Sequence, residues 1–193
     1  MEVRTVAVIG AGTMGAGIAQ VFATQGFPVL LVDSAPAALE RGMQRIGASL
    51  GKIASKGGLG EGTPEQVLGR LTPVADLEAA AEAQFVVEAI IENREAKAGV
   101  LARLGALCPP ETLLTSYTSS IPITELGRAS GRPRQFAGMH FMNPVPLMKL
   151  VEVIRGQETS PETLAVVLDL CRRLGKTPVE AQDYPGFLSN RIL

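Results

Sequence analysis

The chain has 193 residues, of which 46% are hydrophobic and 19% charged, and its net charge is −1. That composition fills the core of an ordinary or a large domain and excludes a disordered tail, and the lack of any basic block excludes a sequence-blind grip on nucleic acid. Two cysteines, Cys108 and Cys171, stand outside any CxxC pattern, which suits reduced thiols and a cytoplasmic protein.

The N-terminus enters an apolar run directly, with no basic segment before it and no stretch long enough to cross a membrane, so neither a signal peptide nor a membrane partner is expected. Thr5–Ile9 reads as a buried strand. Met14–Gln25 follows with helical spacing of Ile18, Val21 and Phe22, and Gly26 ends it. Pro28–Asp33 is a second strand, and a longer helix runs from Pro36 to about Lys52. The glycines between 51 and 62 form a turn between helices. Further strands are expected at Phe85–Ala89, Leu113–Ser116, Phe136–Phe141, Leu150–Ile154 and Thr177–Ala181, and helices at 93–106, 122–129 and 160–174. Strand and helix alternate, which predicts a parallel sheet covered on both faces. The last residues, Asn190–Leu193, read as the start of a further helix.

Gly10-Ala11-Gly12-Thr13-Met14-Gly15 is a GxGxxG motif between the first strand and the first helix, and Asp33 follows 23 residues after Gly10. Gly10 permits the tight turn, Gly12 lets backbone approach a pyrophosphate, and Gly15 lets helix and strand pack closely. The helix N-terminus offers free N–H groups and partial positive charge. A carboxylate at Asp33 accepts from both ribose hydroxyls and repels a 2′-phosphate, which favours NAD over NADP; the same fingerprint also serves FAD proteins. The fold class this implies is α/β, a Rossmann-like doubly wound and mostly parallel sheet.

His140, the one histidine of the chain, closes a strand, where ligands of open parallel sheets sit. One histidine and no cluster of cysteines or carboxylates give no basis for a protein-held metal. Glu152 stands inside the apolar strand Leu150–Ile154, where an unpartnered carboxylate is costly, and His140 is its natural partner. Such a pair makes a neutral base whose imidazolium form the carboxylate orients and stabilises. Ser119, after Leu113–Ser116, can bond a substrate oxygen or cap the helix that follows. Asn143 precedes Pro144 on a stiff, extended segment, and either serves the site or merely turns the chain. Asn190 can equally be a surface cap.

The run from Gly138 to Ile154, GMHFMNPVPLMKLVEVI, and Asp183-Tyr184-Pro185-Gly186-Phe187 leading into Asn190-Arg191, resemble the 3-hydroxyacyl-CoA dehydrogenase family, 3-hydroxybutyryl-CoA dehydrogenases included, over essentially the whole chain. The resemblance implies hydride transfer from C3 of an L-3-hydroxyacyl-CoA to NAD⁺, in fatty-acid metabolism. It implies that His140 is the base, Glu152 its partner, and that Ser119 and Asn190 bind the substrate oxygen and shape the site. Glu92, Lys97 and Asn143 match cofactor contacts; Ser49 and Lys56 match coenzyme A contacts on a helical arm spanning about 35–70. The family's helical C-terminal domain, about a hundred residues, closes the acyl-CoA cleft and makes most of a homodimer interface. The resemblance implies that this domain lies outside the 193 residues, which then form one NAD-binding domain. One residue departs from the pattern: Tyr117 stands where the family usually has Asn. Two other readings stay open, an NAD-dependent dehydrogenase of a free hydroxy acid and a non-catalytic nucleotide-binding domain.

Overall fold

The computed structural model describes residues 2–59, 62–184 and 187. Eight strands form one sheet: β1 (Val6–Ile9), β2 (Val29–Val32), β3 (Leu71–Val74), β4 (Phe85–Glu88), β5 (Leu113–Ser116), β6 (Phe136–Phe141), β7 (Leu150–Arg155) and β8 (Thr177–Gln182). Their order is β3-β2-β1-β4-β5-β6-β7-β8. Every neighbouring pair is parallel except β6 and β7. The chain builds outward from β1 to β3, then returns to place β4 on the other side of β1. That reversal leaves a crevice between the carboxyl ends of β1 and β4, the place where open α/β sheets bind ligands.

The inner strands are almost wholly buried because both faces are covered, and β1 and β2 are apolar along their whole length. On one face α1 (Thr13–Thr24) sets Phe22 against Phe85 and Phe27, together with Ile18 and, from α6 (Pro161–Arg173), Val167 and Leu170. On the other, α4 (Arg94–Leu107) and α5 (Ile123–Ala129) bury Leu101, Leu104 and Leu126 against Val86 and Leu114. Cys108 and Cys171 are both free and buried, and burial pushes the Cys171 thiol up to about 12.

The expected elements fall within two residues of the observed ones, and one helix and one strand are new, besides two short 3-10 helices at Leu77–Glu82 and Pro133–Gln135. The helix α2 (Pro36–Ala54) buries the stripe Leu39, Gly42, Ile46 and Leu50 along one side. The short helix α3 (Pro64–Leu68) brings the chain back. Thr63 caps it through Gln66, with Pro64 at the first helical position. The unforeseen strand β3 carries Pro73, which an edge strand tolerates because its outer side needs no donor.

The connection from β6 to β7 also differs from expectation. Residues 143–147 bend and turn rather than extend, with a cis bond before Pro144. Leu147 and Met148 donate to the Pro144 carbonyl, and the buried Lys176 ammonium donates to the carbonyls of Val145 and Met148. At the far end of the sheet, Asp183 accepts from the backbone N–H groups of Ile123 and Thr124 at 2.8 and 2.7 Å, and from the Thr124 hydroxyl. It thereby caps α5 from sixty residues away and anchors the segment that reaches Phe187. Asp183→Ala is expected to lower stability by about 1–2 kcal/mol, the cost of losing a helix cap. Thermal unfolding measures this, and an unchanged midpoint would show that the cap is dispensable.

Candidate active site

Gly10 ends β1 with φ +106°, and a side chain there would meet the Ala89 carbonyl oxygen at 2.5 Å. A side chain at Gly15 would collide with the Gly10 carbonyl, so these two glycines are demanded by the fold itself. Gly12 differs: its φ is −66° and a Cβ there meets nothing within 4 Å. The fold alone does not require that glycine; the space beside it belongs to the crevice. The first turn of α1 carries no acidic residue to neutralise its N-terminal charge. Asp33 accepts from Ala11 N at 2.9 Å and Ala35 N at 3.0 Å, tying the glycine turn to the end of β2.

A cavity of about 680 Å³ runs along this crevice. Asp33, Ser34, Ala75 and Leu77 line one end, Gly10, Gly12, Thr13 and Met14 the middle, and Ile90, Glu92, Tyr117 and Ser119 the other end. Its size falls in the range of cofactor sites. The donor set also fits a dinucleotide: bare backbone and a helix N-terminus in the middle for a pyrophosphate, a carboxylate at one end for ribose hydroxyls.

His140 and Glu152 are directly paired residues of the antiparallel strands β6 and β7, so their side chains lie on the same face. The contact from His140 Nδ1 to Glu152 Oε2 is 2.6 Å, with the two residues 6% and 1% exposed. A carboxylate only accepts, so Nδ1 carries a proton, and in the neutral ring Nε2 presents a lone pair. Nε2 lies 3.1 Å from Ser119 Oγ, on the cavity wall. Ser119 therefore faces the imidazole. The turn into α5 is held instead by Thr118, whose hydroxyl accepts from Ile121 N at 3.0 Å. The imidazole is flanked by two aromatic rings, Tyr117 at 5.8 Å and Phe187 at 5.9 Å between centroids.

A second polar layer, only partly foreseen, fixes the loop that bears Ser119. Glu92 Oε1 accepts from Thr118 Oγ1 at 2.6 Å, Ser119 N at 2.9 Å and Ser120 Oγ at 3.2 Å. Partial burial works to raise the Glu92 carboxyl, but these donors and the Lys97 charge outweigh it and hold the group below its ordinary range. Beneath the loop, Glu88 is wholly buried. Its carboxylate accepts from Lys97 Nζ at 2.8 Å, Ile90 N at 2.8 Å and Ser116 Oγ at 2.5 Å. Burial pushes this carboxyl up, opposed by the Lys97 charge.

Lys97 was expected to touch the cofactor. The structure instead encloses it completely: its ammonium donates to Glu88 and to the Tyr117 carbonyl at 2.8 Å each, and its side chain does not line the cavity. Glu88 escaped the sequence reading, although the argument that singled out Glu152, a carboxylate in an apolar strand, applies equally to Phe85-Val86-Val87-Glu88. Ser49 and Asn143 line a smaller cavity of about 140 Å³ between α1, α2 and the 143–146 turn, and Thr13 borders both cavities. Lys56 is exposed on the turn after α2 and lines neither. Asn190 lies outside the described residues. Among the described residues there is no group of three or more His, Cys, Asp or Glu that could hold a metal, and no helix long and apolar enough to cross a membrane.

Lys97→Met leaves the Glu88 carboxyl buried without its cation and is expected to cost about 3–5 kcal/mol of stability. Adding Glu88→Leu is expected to recover part of that loss. Denaturant unfolding of the two single variants and the double variant checks the coupling, and strictly additive losses would contradict it.

The model of the 3-hydroxyacyl-CoA dehydrogenase NAD-binding domain matches residues 5–184. Over 186 residues the chain is 55% identical to a probable 3-hydroxybutyryl-CoA dehydrogenase of Deinococcus radiodurans, covering 96% of this chain and 66% of that protein. A probable 3-hydroxybutyryl-CoA dehydrogenase of Bacillus subtilis is 49% identical over 193 residues, covering 100% and 67%. The crystal structure of (S)-3-hydroxybutyryl-CoA dehydrogenase from Ralstonia eutropha superposes with a TM-score of 0.96 at 40% identity, covering 99% of this chain and 68% of that one. The chain thus spans about two thirds of the length of these relatives. It belongs to the 3-hydroxyacyl-CoA dehydrogenase family, as the NAD-binding domain of that family.

Proposed function

We propose that the complete protein is an NAD-dependent L-3-hydroxyacyl-CoA dehydrogenase, and that residues 1–193 form its cofactor-binding domain, with the arm at about 35–70 facing coenzyme A. The observation that carries this reading is the imidazole of His140, clamped by Glu152 on one nitrogen and presenting the other beside Ser119 at the end of the 680 Å³ cavity.

NAD⁺ supplies the hydride acceptor for C3 of the substrate. Ser119 Oγ and His140 Nε2 converge on one point, so a C3 hydroxyl placed there donates its proton to Nε2 while the serine hydroxyl bonds the same oxygen. Glu152 keeps Nδ1 protonated and stabilises the imidazolium as it forms. With the hydride taken up by bound NAD⁺, the proton taken by Nε2 would complete the conversion of the 3-hydroxyacyl thioester to the 3-ketoacyl thioester, and the reverse reaction would use the same groups. Asn190, by its match to the family, adds a further polar contact near the substrate oxygen.

Ser49, beside Thr13 in the smaller cavity, and Lys56 on the exposed turn support the assignment of the arm to coenzyme A. A phosphate-bearing ligand gives Lys56 a chemical reason to be there. The buried, unpaired cysteines suit the reducing cytoplasm to which the reading assigns the protein, as a homodimer with an acyl-CoA substrate.

Acetoacetyl-CoA-dependent oxidation of NADH by the complete gene product, followed by absorbance of NADH, tests the assignment. Saturable turnover with the thioester and little with free acetoacetate is expected; equal rates would favour a free hydroxy acid dehydrogenase, and no turnover a nucleotide-binding domain without catalysis. His140→Gln is expected to slow turnover by ~10²–10⁴-fold, and a near-normal rate would remove the imidazole from the base role. Gly12→Ala should fold and melt within a few degrees of the parent, because an added Cβ there meets nothing within 4 Å, yet bind NADH at least about tenfold more weakly. Unchanged affinity in a fluorescence titration would show that the cofactor does not pass over the glycine turn.

A further inference from the structure

Both backbone polar groups of Tyr117 are hydrogen-bonded. Its backbone N–H donates to the Glu88 carbonyl at 2.7 Å, and its own carbonyl accepts from the enclosed Lys97 ammonium at 2.8 Å. With both backbone groups tied, the half-buried ring projects from a fixed base at the carboxyl end of β5. It lies over the His140 imidazole at 5.8 Å between centroids and 28° between planes. It also lines the large cavity, which the His140 ring itself does not. Phe187 also contacts the imidazole, at 5.9 Å between centroids and 56° between planes, from a backbone with φ +48°, a conformation that a bulky residue adopts only under surrounding constraint.

We propose that Tyr117 is an aromatic positioning residue: stacked between the cofactor cavity and His140, it fixes the plane of the imidazole and stabilises the cation that forms when His140 takes a proton. A ring within about 6 Å of a desolvated cation attracts it through its quadrupole, and an asparagine, which the resemblance leads one to expect at this place, has no face to offer. The phenol hydroxyl has no part in this role, so phenylalanine should serve nearly as well as tyrosine. The ring also covers part of the imidazole on the cavity side, while Nε2 stays beside Ser119.

The kinetic arm of the test rests on the dehydrogenase reading; a chemical arm does not. Tyr117→Leu and Tyr117→Phe are made in the complete gene product, with Tyr117→Met replacing leucine should that variant fail to fold. Three quantities are compared: kcat for acetoacetyl-CoA reduction, the affinity for NADH, and the rate at which diethyl pyrocarbonate modifies His140, read by mass spectrometry on the peptide that contains it. Leucine is expected to lower kcat about tenfold, the loss of one desolvated cation–π contact. It should leave NADH affinity within about threefold and quicken modification of His140 severalfold, while phenylalanine restores both kcat and protection. The proposal is overturned if leucine leaves kcat and protection unchanged, if phenylalanine is as impaired as leucine, or if the whole effect lies in NADH affinity. Should the parent fail to reduce acetoacetyl-CoA, the dehydrogenase reading falls, and the modification rates alone decide whether Tyr117 screens and orients His140.

Discussion

A carboxylate buried inside an apolar strand must find a partner, and the partner of Glu152 is His140, 2.6 Å away. Much of the second half of the structure follows from making that contact possible. The strand bearing Glu152 runs antiparallel to its neighbour, which places the two residues opposite each other in register and on one face. The intervening turn is held by a buried ammonium, Lys176, which satisfies two of its carbonyls. Two aromatic rings complete the enclosure. The arrangement leaves one nitrogen of the imidazole with a lone pair and one direction in which to use it.

The first half of the chain supplies what that lone pair faces. Where the strand order reverses beside β1, two glycines allow the backbone to turn and pack without side chains, and a third has open space beside it. The loop carrying Ser119 joins the halves. It is suspended from Glu92 above and from Glu88 and Lys97 below. These charges are costly to desolvate singly and are retained because each satisfies the others. Their value is geometric: they hold a hydroxyl 3.1 Å from the imidazole, Glu88 and Lys97 from beneath the loop and Glu92 from the cavity wall.

The sequence makes the long, strongly patterned elements legible, because fully buried strands and amphipathic helices impose their periods on composition. The glycine fingerprint and the carboxylate in Leu150–Ile154 were legible for the same reason: each breaks a local rule, and broken rules concentrate at sites. What stayed hidden follows from particular residues. The strand β3 pairs along one edge only, so Thr72 and Pro73 cost it little and it shows no apolar run. Thr63-Pro64-Glu65-Gln66 did carry a capping signal for α3, within a stretch that the nearby glycines made look like plain turn. The antiparallel direction of β7 was available from arithmetic, since the short link from Phe141 to Leu150 leaves no room for the crossover that parallel strands need. The enclosure of Lys97 was not available, because a lysine nine residues after Glu88 looks the same whether it faces inward or outward. The contacts of Tyr117 and Phe187 with His140 depend on three distant segments meeting, which no local pattern records.

The central claim is that the carboxylate fixes which imidazole nitrogen is free to act as a base. Nitrogen-15 NMR of the His140 ring in the complete protein measures this directly through the tautomer. The account predicts a proton on Nδ1, strongly deshielded by its bond to Glu152, an unprotonated Nε2 in the neutral state, and loss of that signature in Glu152→Leu. A neutral ring protonated on Nε2, or a tautomer indifferent to the substitution, would contradict it.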